Sequence, residues 1–226
     1  MPQVFVDNDE YIAEDVSAIE KGLLHKQLFK YIAANNAFLA DLFEDNFDNI
    51  LAALGVAKHE LKAPFAGMGA GDSEIALQMI RPHHVVRSTS ATETAVNDWT
   101  VTFTADGDYW IGFDTNNTTA INVDRRVLLL TLAVWWTQGW GPITEELLIQ
   151  LGNTTYPVQI IRHGWVGDNK TGVRAARIRP QIWKPLARPL VQTYQTIAGD
   201  QQMVLVGVAF AKGDLARQQA PTAIQV

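Results

Sequence analysis

The sequence predicts a mainly β protein in which an antiparallel β-sandwich follows a two-helix N-terminal arm. Two observations predict this fold class. Apolar residues recur mostly at intervals of three to five positions between residues 16 and 54, which is the spacing of one helix face. From residue 75 onward, short apolar or alternating runs are separated by turn residues, as is typical of antiparallel sandwiches and barrels.

The N-terminal arm, residues 1–61, is predicted to contain two helices that meet at Asn35–Asn36 and end near Gly55. Two helices bury too little apolar surface to be stable alone, so we expect them to contact the rest of the chain or another subunit. On the apolar stripe, the residues that we expect at an interface are Leu23, Leu28, Ile32, Leu39 and Phe43.

Residues 62–74, KAPFAGMGAGDSE, combine three glycines with three alanines. A G-x-G-x-G spacing occurs in nucleotide-binding loops, but such a loop follows a strand and opens a helix, and no strand pattern leads into this segment. We therefore expect a flexible hinge between the arm and the β domain.

The β domain is assigned to residues 75–213, and residues 214–226 are expected to form an extended C-terminal tail. Its most apolar run, 127–136, is shorter than the about 20 residues of a membrane-spanning helix, so we predict a strand buried on both faces and no membrane partner. Residues 99–105 and 109–113 are predicted to form a hairpin around Asp106–Gly107. The other predicted strands are 76–87, 143–151, 156–165, 173–179, 190–197 and 203–211.

Charge is unevenly distributed along a chain whose net charge is −6. Residues 1–60 are strongly acidic, whereas residues 162–188 are strongly basic, so these two regions could attract each other within one chain or between neighbouring copies. The prolines of residues 177–189 predict a semi-rigid extended connection. Nucleic acid is a poor candidate partner because the whole chain is acidic. The basic residues expected at an interface are Arg174, Arg177, Arg179 and Lys184.

The sequence contains no catalytic signature. Its four serines lie outside any G-x-S-x-G motif, and the absence of cysteine excludes disulfides and thiolate metal sites. His83 and His84 are adjacent, but in a strand their side chains would point to opposite faces and could not share an ion. The acidic residues between Asp98 and Asp124 could hold a structural ion or form a glycosidase pair, but Asp and Asn are also the residues that ordinary turns prefer, and we favour turns. We therefore expect no enzyme activity, no cofactor and no metal.

Seven tryptophans are a high count for a chain of this length. Trp110, Trp140 and Trp183 could stack on a sugar, fill pockets between subunits or lie within the fold. Because the indole combines a large apolar body with one N–H donor, burial or a subunit interface is favoured, with Trp140 and Trp183 as interface candidates.

Residues 75–213 resemble the jelly-roll structural proteins of bacteriophage and other virus particles. The resemblance lies in the Thr/Asn-rich strands and turns of 99–123, the bulky strand 127–136, and the closing pair 187–200 and 201–213. It implies a capsid, decoration or head-to-tail protein that contacts copies of itself and other virion proteins. The N-terminus also lacks the pattern of a secretory signal. The alternative is a carbohydrate-binding β-sandwich for host adhesion, with a glycan as partner.

Overall fold

The computed structural model describes residues 16–88, 93–95, 100–103, 107–111, 121–137, 144–151, 159–162, 173–187, 189–195 and 199–217. Within these residues the chain is a mixed protein, in which an N-terminal group of helices precedes antiparallel β-sheets. The C-terminal tail beyond Arg217 lies outside the described residues. Its first residues, Gly213–Arg217, form a short helix rather than the extended chain that we expected.

The N-terminal helices are α1 (Ala18–Lys26), α2 (Ala37–Asp45) and α3 (Phe47–Leu61), and a π-helical turn, Gln27–Ile32, continues α1. The predicted break at Asn35–Asn36 is present, because the side-chain oxygen of Asn36 caps α2 by accepting a hydrogen bond of 3.0 Å from the Leu39 N–H.

A second helix boundary at Asn46 escaped the sequence analysis. The Asn46 side chain donates a 2.8 Å hydrogen bond to the Leu42 carbonyl and so stabilises the end of α2. Helix α3 also continues past Gly55, where we expected an end. The reason is that Val56, Ala57 and Leu61 extend its buried face, and the helix stops only at Lys62, whose φ is 50°.

Twelve strands follow within the described residues, and three of them have 11 residues or more. They are β1 (Ile75–Met79), β2 (Val85–Ser88), β3 (Glu93–Ala95), β4 (Thr100–Phe103), β5 (Gly107–Ile111), β6 (Ile121–Val123), β7 (Val127–Thr137), β8 (Thr144–Leu151), β9 (Gln159–Arg162), β10 (Val173–Trp183), β11 (Pro189–Gln195) and β12 (Gly199–Lys212); the terminal helix is α4.

All strand pairs in the three sheets are antiparallel. The main sheet has the order β1–β12–β7–β10, and β4 pairs with the first residues of β12. A second sheet has the order β5–β11–β8–β9, and a small sheet has the order β3–β2–β6. The predicted hairpin of 99–105 and 109–113 is therefore wrong. Strands β4 and β5 pair with β12 and β11 instead, because long-range partners outweigh a local turn preference.

The middle of β7 is irregular in register. Its partners in β12 pass from Val206, opposite Ala133, to Gly207, opposite Thr131, so β7 contains one extra residue here. The two backbones approach so closely that a Cβ at position 207 would overlap the carbonyl of Leu130. Glycine is therefore required at this point of β12.

We predicted that residues 177–189, with their prolines, form a connection, but strand β10 extends through residues 177–183 of this segment. Residues 177–183 of the predicted stretch 177–189 belong to β10, and only the following turn and the start of β11 connect strands. Pro180 is accommodated because the register with β7 shifts between Arg177 and Gln181, so the missing N–H falls where the ladder is already interrupted.

The hydrophobic core lies between the helices and one face of the main sheet. Leu130 of β7 and Phe210 of β12 belong to the same buried cluster as Phe43 of α2 and Leu54 of α3. The opposite face of the main sheet is also buried, since Leu129 has no exposed surface. The prediction that 127–136 is a strand buried on both faces is thus confirmed for residues 127–134, whereas Trp135 is only partly buried and the burial of Trp136 lies outside the described part.

The helices are consequently not a separable arm. Each large apolar side chain in a shared core contributes about 1.5–3 kcal/mol when it is fully buried, so helices and sheet stabilise each other. Removal of residues 1–60 would leave one face of the main sheet exposed to water. The expectation of an arm separate from the β domain is therefore corrected.

The glycine-rich segment 62–74 is packed against the rest of the chain rather than forming a hinge. Phe65 forms a β-bridge with Ile75, and the Ile75 N–H donates a 2.8 Å hydrogen bond to the Pro64 carbonyl. Gly67 is buried at φ 75° in a 3-10 turn, Gly67–Gly69, and packs directly against the side chain of Gln27. Glycine serves here for close approach and positive φ, not for flexibility.

Candidate interaction surface

A surface groove of about 300 Å³ lies between the π-helical turn and the 3-10 turn. Its lining residues are Leu23, Lys26, Gln27, Tyr31 and Met68. Tyr31 is 56% exposed and Met68 is 55% exposed, which is unusual for large apolar side chains. Farther along α1, Ile19 is 84% exposed. The groove is therefore an apolar depression with further apolar surface beside it.

The floor of the groove contains an unsatisfied polar atom. Gln27 is only 7% exposed, and its side-chain oxygen Oε1 accepts no hydrogen bond from any residue that the structure describes. Gln27 is held in place by the close approach of Gly67, where a Cβ would collide with the amide group. A buried acceptor without a donor costs about 1–3 kcal/mol, so a ligand that supplied an N–H group here would recover part of that free energy.

Three exposed lysines, Lys21, Lys26 and Lys30, lie along α1 and the π-helical turn that line the groove. None of them forms an ion pair with a described residue. Lys30 Nζ instead lies 5.7 Å from the centre of the Tyr31 ring. Glu20 is already engaged by Lys58 at 3.0 Å. Burial raises the pKa of Glu20, but hydrogen bonds from Ser17 and Lys58 outweigh burial and leave the pKa lowered. Glu20 therefore stays ionised, and Lys58 compensates its charge.

The apolar residues expected at an interface lie mostly in the core of their own chain. Leu28 and Phe43 have no exposed surface, Leu39 is buried, and Ile32 is half-buried against the same cluster. Only Leu23 lines the groove. The other four side chains pack against residues of their own chain. The main sheet covers the apolar stripe, which we expected a neighbouring subunit to cover.

Two of the predicted basic residues pair with acidic residues of the helices in the same chain. Arg177 of β10 forms an ion pair with Asp45 at the end of α2. Lys184, just after β10, places its Nζ 3.1 Å from Glu60 Oε1 of α3. These two ion pairs therefore join the acidic region 1–60 to the basic region 162–188 within one chain. Arg179 is exposed.

The remaining predicted residues contribute little to a described surface. Trp183 has no exposed surface, and its indole N–H finds no acceptor. Arg174 lies in β10 opposite Trp136, but its side chain is outside the described part. Trp140 and the side chain of Trp110, the other two residues of the predicted sugar-stacking platform, lie outside the described residues.

An ionic cluster connects the start of β7 to α4. Arg126 contacts both carboxylate oxygens of Asp124 at 3.1 Å, and its Nη1 donates to Asp214 Oδ2 at 3.0 Å. The hydrogen bonds that Arg126 donates to Asp124 raise the pKa of Arg126, so the guanidinium stays charged. Asp124 is almost completely buried, and Arg126 compensates its charge within the fold.

The expectation that His83 and His84 lie on opposite faces of a strand is wrong. Both belong to a 3-10 turn, Pro82–His84, and their ring centres are 4.3 Å apart. His84 is fully engaged: its Nδ1 accepts from the Arg81 N–H at 3.1 Å, and its Nε2 lies 3.1 Å from Gln78 Oε1. The Gln78 amide in turn donates to the Ala216 carbonyl at 2.8 Å, which fixes the proton of His84 on Nε2.

Burial keeps both imidazoles neutral. It lowers the pKa of His84 well below its usual value, and the neighbouring His83 and Arg81 lower it further. Burial and Arg81 also lower the pKa of His83 to about 4, against an opposing effect of Asp124. Within the described part of the chain, no group of three or more His, Asp or Glu side chains is arranged to hold a metal ion.

No protein-family model, curated protein sequence or solved structure matches this chain. Among the helices of the described ranges, none is both long enough and apolar enough to cross a bilayer. The groove was missed by sequence reasoning except for Leu23. Tyr31 and Met68 are 37 positions apart in sequence, and only the tertiary contact of two turns brings them together.

Proposed function

We propose that this protein is a structural component of a virus particle, built on a jelly-roll β-sandwich and assembling through contacts between copies. The observation that carries the proposal is the strand order of the two larger sheets. If β1, β5, β7, β8, β9, β10, β11 and β12 are counted as strands one to eight, the sheets have the orders 1–8–3–6 and 2–7–4–5. An alternation of strands between two sheets is expected of a jelly roll, a fold widely used in capsids, and this order therefore supports the proposal.

Burial in the main sheet supports the same fold. The helices cover one face, yet Val127, Leu129 and Thr131, on the other face of β7, are also fully buried. A sheet buried on both faces needs a second covering layer. The second sheet supplies that layer in a sandwich. Its strands alternate with those of the main sheet along the chain, as the closing pair β11 and β12 illustrates.

The assembly function rests on the surface in addition to the fold, since jelly rolls also occur in lectins and cupins. Exposed apolar side chains beside a groove are typical of protein-binding surfaces. Only 19% of the residues are charged, as expected if part of the surface is covered in an assembly.

The test is size-exclusion chromatography with light scattering on the full chain, with electron microscopy of the same fractions. We expect discrete rings, shells or other closed oligomers. A monomer at every concentration would overturn homotypic assembly. A monomer whose tryptophan fluorescence responds to glycans would assign the same fold to the alternative, carbohydrate binding.

A further inference from the structure

We propose that the groove binds the N-terminal segment, residues 3–15, of a second copy of this chain. The inference rests on the proposed assembly function and names the contact that would join two copies. The segment reads QVFVDNDEYIAED, with the apolar run Val4–Val6 followed by five acidic residues up to Asp15. It combines an apolar group small enough for a groove of about 300 Å³ with a high negative charge.

Charge complementarity is the first argument for this occupant. The chain as a whole carries −6, yet Lys21, Lys26 and Lys30 gather on the helix that lines the groove, and none forms an ion pair with a described residue. An acidic peptide beside them would gain attraction without breaking an existing ion pair. Asp45 of α2 and Glu60 of α3 are less suitable partners, because they already pair with basic residues of their own chain.

The polar atom in the groove is the second argument. Gln27 Oε1 is buried without a donor, and Leu23, Tyr31 and Met68 around it are apolar. An extended peptide presents backbone N–H groups between its side chains, so it can donate to Gln27 once the amide turns from Gly67 towards the groove, while its apolar residues contact the walls. A purely apolar ligand would leave this acceptor unsatisfied.

The experiment uses the full chain, prepared with light and with heavy nitrogen and co-assembled in equal amounts. A carbodiimide is added, which joins a lysine amine to a carboxylate as an amide, and cross-linked peptides are identified by mass spectrometry. We expect links from Lys21, Lys26 or Lys30 to acidic residues of 7–15, with mixed isotopes that prove contact between copies. The variant Lys26→Glu should reduce these links at least about fivefold, the effect of losing roughly 1 kcal/mol of attraction.

The matched control is Arg125→Glu, an equal charge reversal at an exposed residue outside the groove, which should leave the links unchanged. Links confined to one isotope would mean that the segment binds its own chain, and absence of links would mean that the segment does not bind. Either result in a chain that assembles overturns this inference while the proposed function stands. A chain that stays monomeric overturns both.

Discussion

Lys184 and Glu60 lie 124 residues apart in sequence, yet their side chains meet at 3.1 Å. Lys184 follows β10, the edge of the main sheet, and Glu60 lies near the end of α3. The pair therefore joins the helical layer to the sheet. Together with Arg177 and Asp45, it shows that opposite charges in the N-terminal and C-terminal parts of the sequence serve to join layers of one chain.

We expect the Lys184–Glu60 pair to contribute modestly to stability. Both side chains are about one-third exposed, so water screens their attraction, and the coupling should be roughly 0.2–1 kcal/mol. A double-mutant cycle with Lys184→Met and Glu60→Gln, measured by denaturant unfolding, gives this value. The coupling should shrink when salt is added. A coupling of zero at low salt would mean that the ion pair contributes nothing.

Gly67→Ala should destabilise the protein strongly, by about 1–3 kcal/mol, because the new Cβ would meet the Gln27 side chain and an L-residue disfavours φ 75°. The matched control is Gly69→Ala in the same turn, where a Cβ meets nothing within 4 Å and φ is not positive. Its unfolding free energy should stay near that of the wild type. Equal effects of the two substitutions would contradict the packed turn.

Acid should destabilise the protein through the histidine pair. The pKa of His83 is about 4 in the folded chain, below its usual 6.5, so the unfolded chain binds more protons between these values. Stability is therefore fully present above pH 6.5 and is lost as the pH falls towards 4, by up to about 3 kcal/mol.

The measurement for this prediction is the unfolding free energy of wild type and His83→Gln across the pH range from 7 to 4. The glutamine variant should show a smaller loss in this interval, because a neutral amide cannot take up the proton. An identical slope in both proteins would show that other groups cause the acid sensitivity.

Phe43→Ala should test whether helices and sheet form one cooperative unit. Phe43 of α2 is fully buried in the core shared with β7 and β12, so its loss should cost about 3–5 kcal/mol. Helix circular dichroism and tryptophan fluorescence should report the same transition in wild type and variant. Two separate transitions would restore the independent arm that the sequence suggested.

The sequence alone was sufficient for the type and place of most elements. The spacing of apolar residues indicated the N-terminal helices, and the side chain of Asn36 made their first break recognisable. The run 127–136 indicated a buried strand because no solvent-facing residue interrupts it, and β7 spans Val127–Thr137. These properties depend on neighbours in sequence, so local periodicity and capping suffice to predict them.

The tertiary structure decided which elements meet. A local turn signal at Asp106–Gly107 favoured a hairpin, but the pairing of β4 and β5 with distant strands cannot be derived from nearby residues. The same holds for the helices. Their apolar stripe required a cover, and only the fold showed that Leu130 and Phe210 of the same chain provide it. Gly67 looked flexible in the sequence and is fixed in the structure, because the contact that needs it comes from Gln27, forty residues earlier. Periodicity specifies which face of an element must be buried, whereas the partner that buries it is chosen by long-range packing.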